Sequence, residues 1–294
     1  MSADSYPNFP HPEIKSQTFK FINVEFHNTL NEKETRDILI YSKNNEGWND
    51  ELTKIAIDHI DVNHPIDVAS RNLCLDLLNK FEKSKKKVVL EIGCSNGYLI
   101  DEFEKSKKYK YIGSDAIEEH IKKLKILHPS KPFLIFDILK NPFSEQMCNA
   151  IVMLNVLEHI KDDFAALKEA NKLLKEDGIL ILEVPSGKML YDQYDRELLH
   201  YRRYNMNELI KKIEDSGFII EKKTHLGFII FPIFALVKLF NKIFKSKKVV
   251  VKQAKFSDNF ILRFFFKIEE KLQNFNLPYG IRCYVCARKK NPGK

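Results

Sequence analysis

The stretch that most constrains the chain is Val88-Val89-Leu90-Glu91-Ile92-Gly93-Cys94-Ser95-Asn96-Gly97-Tyr98, an apolar run that carries an acid and enters a turn with two glycines. A strand covered on both faces is apolar throughout, so Val88 to Ile92 reads as a buried parallel strand with Glu91 as its exception. Lys85 to Lys87 mark its solvated start. Gly93 and Gly97 let the backbone turn sharply and let a ligand approach main-chain N–H groups, and Tyr98 to Phe103 continues at helical spacing.

Two further strand–helix units follow. Lys110 to Asp115 is an apolar strand ending in an acid about 20 residues beyond the glycine turn, the offset at which nucleotide folds hold a ribose. A carboxylate accepts from both hydroxyls of a cis-diol, so Asp115, with Ala116 after it, is the expected ribose contact. A helix over Glu118 to Leu127 stops before Pro129, and Phe133 to Phe136 ends in Asp137. The motif Glu-Ile-Gly-Cys-Ser-Asn-Gly at 91–97 resembles the first motif of class I S-adenosylmethionine-dependent methyltransferases, and differs from the Gly-x-Gly-x-x-Gly of nicotinamide enzymes. A sulfonium ligand has no pyrophosphate and needs no helix start stripped to glycine, while a nearby carboxylate suits its cationic methionine end.

The resemblance implies a doubly wound α/β fold with a seven-stranded Rossmann-like sheet, and S-adenosyl-L-methionine as cofactor. It implies cofactor contacts at Glu91, Gly93, Cys94, Ser95, Gly97, Asp115, Ala116 and Asn155, and an adenine clamp at Asp137 and Ile138. A helix over Pro65 to Phe81 would cap the cofactor cleft, with Arg71 either reaching the methionine carboxylate or left solvated.

The fourth strand runs from Ala150 into Val156-Leu157-Glu158-His159-Ile160, which resembles the corresponding motif of ubiquinone-type small-molecule methyltransferases. It implies an imidazole beside the methyl group. His159 is then a candidate general base, or a residue that only shapes the pocket. Some relatives of that type bind a divalent metal with two glutamates and a histidine. Asn155 stands at the first of those positions, so too few hard ligands remain and no metal is expected. After a helix over Asp162 to Leu174 and a strand over Gly178 to Pro185, residues 186–204 form a polar-aromatic segment. Its phrase Leu199-His200-Tyr201-Arg202-Arg203-Tyr204 resembles methyltransferases of bacterial cell-surface polysaccharide and glycolipid pathways. That implies substrate contacts at Tyr194, His200, Arg203 and Tyr204, with an aromatic lid on the cofactor as the competing reading.

The remaining organisation is an N-terminal extension (1–64), a cofactor-binding core (65–223 and 278–290) and an amphipathic helical insertion (224–277). In the extension, 19–26 reads as a short strand and Asn31 to Tyr41 and Asp50 to Ile60 as helices. In the insertion, twelve apolar residues from Leu226 to Val237, interrupted by Pro232, are too few to span a bilayer. A second apolar stripe runs from Phe256 to Phe275. Nine lysines and no acid lie between Lys222 and Lys255, more than the chain's whole surplus of +8. Apolar faces flanked by lysine suit an anionic membrane surface, giving peripheral membrane contact through 226–275, or else a homodimer or core packing. Lysine runs elsewhere lack interleaved stacking aromatics, so no nucleic acid is expected. Five cysteines without a signal peptide favour the cytoplasm, and Cys283 and Cys286 read as strand packing.

The expected activity is O-methylation of a small-molecule, sugar or lipid-linked acceptor. The alternative is a non-catalytic protein of the same fold that binds membrane, protein or RNA.

Overall fold

A computed structural model describes residues 20–27, 33–41, 63–84, 87–106, 108–143, 146–243, 260–273 and 275–291. Strands β1 (Lys20–His27) and β2 (Lys33–Ile40) precede helix α1 (Pro65–Phe81). Then follow β3 (Val88–Ile92), α2 (Ile100–Ser106), β4 (Lys110–Asp115), α3 (Glu118–Leu127), β5 (Phe133–Ile135) and β6 (Cys148–Leu154). The second half holds α4 (Asp163–Leu173), β7 (Leu174–Pro185), α5 (Gln193–Glu197), α6 (Met206–Asp215), β8 (Phe218–Leu226), α7 (Phe231–Ile243), α8 (Phe260–Leu272) and β9 (Arg282–Lys289).

The strands form one sheet in the order β1-β2-β5-β4-β3-β6-β7-β9-β8. The seven strands from β3 onward are the expected set, and β9 enters antiparallel between β7 and β8. All five residues of β3 are buried, because helices cover both faces. On one face Leu90, Ile112, Ile151 and Leu180 meet Ala166, Leu167 and Ala170 of α4 and Leu209 and Ile213 of α6. On the other, Val89, Tyr111, Val152 and Ile181 meet Leu73, Leu77 and Leu78 of α1, Phe103 of α2 and Ile121 of α3. Cys283 and Cys286, an odd number of residues apart on β9, fall into opposite layers, so they share neither a disulfide nor a metal ion.

Local chemistry sets the helix boundaries. Pro65 occupies the first position of α1, where its missing N–H costs nothing, and the His64 ring accepts from Ile66 N. Asp162 caps α4 by accepting from Ala165 N at 2.9 Å. Pro232 lies at the second position of α7, so the apolar run past it continues as helix.

The N-terminal extension differs from the expected helices. Lys33–Ile40, expected as helix within Asn31 to Tyr41, is a strand that pairs antiparallel with β1 and parallel with β5. Register explains the change: Leu39 lies beside Leu134 and Ile40 beside Ile135, and Tyr41 N donates to Ile135 O at 2.8 Å. Ile38 and Ile40 enter one apolar layer while Leu39 packs on the other, an arrangement available only to extended chain. The expected helix Asp50 to Ile60 lies outside the described residues.

Ile40 is fully buried at this seam. Ile40→Ala is expected to lower unfolding free energy by about 2–5 kcal/mol in urea titrations with unchanged slope. A change below about 0.5 kcal/mol would mean that the hairpin is not part of the cooperative core.

Candidate functional site

The C-terminal ends of β3, β4, β5 and β6 gather at one edge of the sheet, where open α/β sheets hold ligands. The turn after β3 needs glycine for two reasons. Gly93 and Gly97 have φ of +77° and +78°, and a Cβ on either would lie 2.4 Å from a neighbouring side chain, Val156 Cγ2 and Leu124 Cδ2 respectively. The expected cradle of open N–H groups is only partly met. Gly93 N and Cys94 N donate to Ser114 O, Gly97 N donates to Cys94 O, and Ser95 N donates to the Asp115 carboxylate at 2.8 Å. The glycines therefore chiefly supply room for the fold of the turn.

Asp115 links two turns. One carboxylate oxygen accepts from Ser95 N and the other from Ile117 N at 2.9 Å, which fixes the group at the sheet edge with lone pairs remaining on each oxygen. Ala116 follows in the partly exposed turn. Buried His120 places Nδ1 3.7 Å from the same carboxylate, a neighbour that sequence reading missed. Asp137 accepts from Leu139 N at 3.0 Å and opens a short 3-10 turn in which Ile138 is buried. Glu91 is buried and accepts from the Tyr111 hydroxyl; burial pushes its carboxyl up to about 7. The Arg71 guanidinium sits 5.9 Å from the Tyr98 ring centre, and its charge favours ionised Glu91.

After β6, Asn155 adopts a left-handed φ of 54° and its side chain donates to Glu183 at 2.7 Å. Arg282 donates to the same carboxylate at 2.8 Å and to Asp67 of α1 at 2.7 Å, while Ser70 donates to its second oxygen. This network ties the cap helix to β7 and β9. It was invisible in sequence because its members lie up to 215 positions apart.

Glu158 and His159 sit on a 3-10 turn beside this edge. Glu158 is fully buried, neither carboxyl oxygen has a hydrogen-bond partner among the described residues, and burial pushes the group up to about 8. His159 is pushed down to about 3, by burial first and by its neighbour His200, so its imidazole is neutral near pH 7. The two rings meet edge-on with centres 4.6 Å apart. Glu158, His159 and His200 each offer a ligand atom within 4.8 Å of the others, so one carboxyl and two imidazoles form a group able to hold a cation. Counting from the β6 motif alone missed His200, which arrives from the lid.

The segment 186–204, named the lid after one of its two expected roles, folds back on the β6 turn. Tyr201 N donates to Glu158 O at 2.8 Å, and Gly187 N donates to Tyr204 O at 2.9 Å. Its centre is Asp195, completely buried: Arg203 Nε lies 2.8 Å from both carboxylate oxygens, His200 Nδ1 3.1 Å away, and Lys238 of α7 3.4 Å away. These partners hold the Asp195 carboxyl far below its usual range despite burial, which acts in the opposite sense. Arg203 and Tyr204, expected at the substrate, are instead turned inward. Arg203 also donates to Ser186 O at 3.1 Å, and the Tyr204 hydroxyl donates to Asp163 at 3.0 Å. With Asp195 buried, loss of the Arg203 guanidinium would leave an uncompensated charge inside the segment, so the pair constrains how residues 186–204 fold. Tyr194 stays partly exposed, with the Lys238 ammonium 5.1 Å from its ring centre.

A glycine turn after the first core strand, acids at the ends of the next two, and an antiparallel last strand define an α/β methyltransferase fold. The chain belongs to the methyltransferase domain family, whose pattern it matches over residues 68–218. It is 25% identical over 135 residues to a probable S-adenosylmethionine-dependent methyltransferase of Mycolicibacterium smegmatis, covering 45% of this chain and 52% of that protein. It is 33% identical over 129 residues to a tRNA U34 carboxymethyltransferase of Sulfurovum sp., covering 41% and 43% respectively. The chain thus spans about half the length of these relatives. Among solved structures, a putative sarcosine dimethylglycine methyltransferase of Galdieria sulphuraria shares the fold with a TM-score of 0.56 at 12% identity, over 82% of this chain and 99% of that one.

The raised carboxyl of Glu158 gives a pH-dependent stability with a definite sign. Its contribution is complete below about 4.5, its unperturbed value, and is lost as pH rises through about 8. His159 acts oppositely: its contribution is complete above 6.5 and is lost as pH falls through about 3. Comparing wild type with Glu158→Gln cancels the histidine. From pH 5 to 8.5 in urea titrations, wild type is expected to lose stability relative to the variant; parallel curves would mean that Glu158 is not neutral in the folded protein.

Proposed function

We propose that the protein transfers a methyl group from S-adenosyl-L-methionine to an oxygen of a small-molecule, sugar or lipid-linked acceptor. The observation that carries this reading is the Asp115 carboxylate, fixed by Ser95 N and Ile117 N at the sheet edge beside a turn that tolerates only glycine at 93 and 97. The residues present fit the cofactor. Asp115 and Ala116 would hold the ribose, Asp137 and Ile138 the adenine, and Glu91, Cys94, Ser95 and Asn155 would surround the methionine end, with Arg71 near its carboxylate. When bound, the cofactor supplies an electrophilic methyl group on a sulfonium.

The chain's own contribution is largely placement. His159 accepts a hydrogen bond from the acceptor hydroxyl and orients its lone pair, and its low basicity limits how far it removes the proton. Tyr194 and His200 would contact the acceptor, while Arg203 and Tyr204 hold the lid in shape from within. In this reading transfer needs no metal, and Glu158 serves as a neutral, buried neighbour. Five free, buried cysteines suit a reducing cytoplasm. The resemblances of the β6 motif and lid favour acceptors of quinol or cell-surface glycolipid type. The relative named for tRNA U34 supports RNA as a second acceptor class, which strong, salt-dependent tRNA binding would favour.

Calorimetric titration with S-adenosylhomocysteine, with NADH as control, tests the cofactor. Micromolar binding of the first alone is expected, weakened at least tenfold in Asp115→Asn, because the amide replaces one acceptor with a donor. Folded protein that binds neither ligand would favour a non-catalytic role. Radiolabelled methyl transfer to saccharides, quinols and lipid extracts tests the chemistry. His159→Ala is expected to reduce kcat by less than the roughly 10²–10⁴-fold typical of a lost general base, with activity retained in EDTA. A larger loss with a vanished acidic limb would make His159 the base, and abolition by EDTA would assign the Glu158–His159–His200 group to a metal.

A further inference from the structure

We propose that α7 and α8 form a docking face for an anionic phospholipid bilayer, so that the acceptor methylated beneath the lid is lipid-linked. The substrate part of this inference rests on the methyltransferase reading above; the docking part stands on the two helices alone.

Both helices are attached to the core by narrow inward stripes. Phe266 of α8 packs with Ile66 and Ala69 of α1 and with Leu226, and buried Glu269 accepts from Gly227 N and Ile229 N in the turn that leads into α7. α7 reaches the lid through Lys238, which donates to Asp192 at 2.7 Å. The opposite faces are apolar. On α7, Ile233, Leu236, Val237 and Phe240 are spaced i, i+3, i+4, i+7, and Ile233 and Leu236 are 70% and 68% exposed. On α8, Phe260, Phe264 and Ile268 recur every four residues beside Ile261, and Phe260 is 79% exposed. An amphipathic helix already docked by one side normally turns polar residues to water, and these two turn phenylalanine, leucine and isoleucine.

Charge selects the occupant. Residues 244–259, which join the two helices, contain five lysines against one acid, Asp258. A second copy of the same face would bring two such runs together, whereas an anionic lipid surface complements them and accepts the apolar rows at its headgroup boundary. No helix among the described residues is long and apolar enough to cross a membrane, so the contact is one of lying on the surface. Position supplies the functional link. The helix that carries the outward row of Ile233, Leu236 and Phe240 also carries Lys238, the lid contact of Asp192 and Asp195, which places the bilayer against the substrate side of the site.

The test is co-sedimentation of the full chain with vesicles of phosphatidylcholine alone or mixed with phosphatidylglycerol. Binding is expected to the mixed vesicles, to fall at least tenfold in 0.5 M NaCl, and to fall at least tenfold in a Leu236→Glu/Phe264→Glu variant whose S-adenosylhomocysteine affinity is unchanged. No binding at low salt, or equal binding by the variant, overturns the proposal. A lipid-free dimer that the variant converts to monomer also overturns it and assigns the face to self-association. Vesicle binding with no affinity for S-adenosylhomocysteine leaves the docking face standing and removes the methyltransferase reading and the lipid-linked substrate with it.

Discussion

One carboxylate holds the working edge of the sheet together. Asp115 receives Ser95 N from the turn after β3 and Ile117 N from the turn after its own strand, so two adjacent chain reversals share one anchor. Parallel pairing of Glu91 with Gly113 and of Ile92 with Ser114 brings these strand ends level, and Ser114 O takes Gly93 N and Cys94 N. Each oxygen keeps a further lone pair at the place where a diol-bearing ligand would sit.

The other buried acids divide according to their compensation. Asp195 is surrounded by Arg203, His200 and Lys238, and Glu183 by Arg282, Asn155 and Ser70. Removing one partner from such a site leaves an uncompensated charge, so these groups fix the lid and the cap helix firmly. Glu158 has no hydrogen-bond partner among the described residues, Glu91 has the Tyr111 hydroxyl, and burial pushes both toward neutrality. A weakly compensated acid beside a neutral histidine, as Glu158 is beside His159, is the kind of place where ligands and chemistry are expected.

The insertion before β9 follows a different logic from the rest of the chain. Elsewhere helices bury their apolar faces, as α4 does with Ala166, Leu167 and Ala170. In α7 and α8 much of the apolar surface points away from the sheet, and what holds them is a lysine reaching the lid, a phenylalanine under α1 and a glutamate receiving two backbone amides. Attachment by these few contacts leaves the apolar rows available to another medium.

Sequence by itself determined the core strands and helices from Pro65 to Pro185, because each relies on local signals: a proline at a helix start, an aspartate cap, a glycine turn, an apolar run between charged ends. It also determined two strand-end acids, Asp115 through its spacing from the glycine turn and Asp137 through the apolar run that it ends. Tertiary structure decided what depends on distant partners. Lys33–Ile40 became a strand because β5 offered an open edge, overriding a local pattern that also suits a helix. Arg203 and Tyr204 turned inward because Asp195 and Asp163 needed charge and hydrogen bonds in a buried setting. His200 joined Glu158 and His159 across some 40 residues because the lid folds back on the β6 turn through Tyr201 N. Local propensity acts over a few residues, whereas burial and the pairing of buried charge are settled only when the chain has closed on itself.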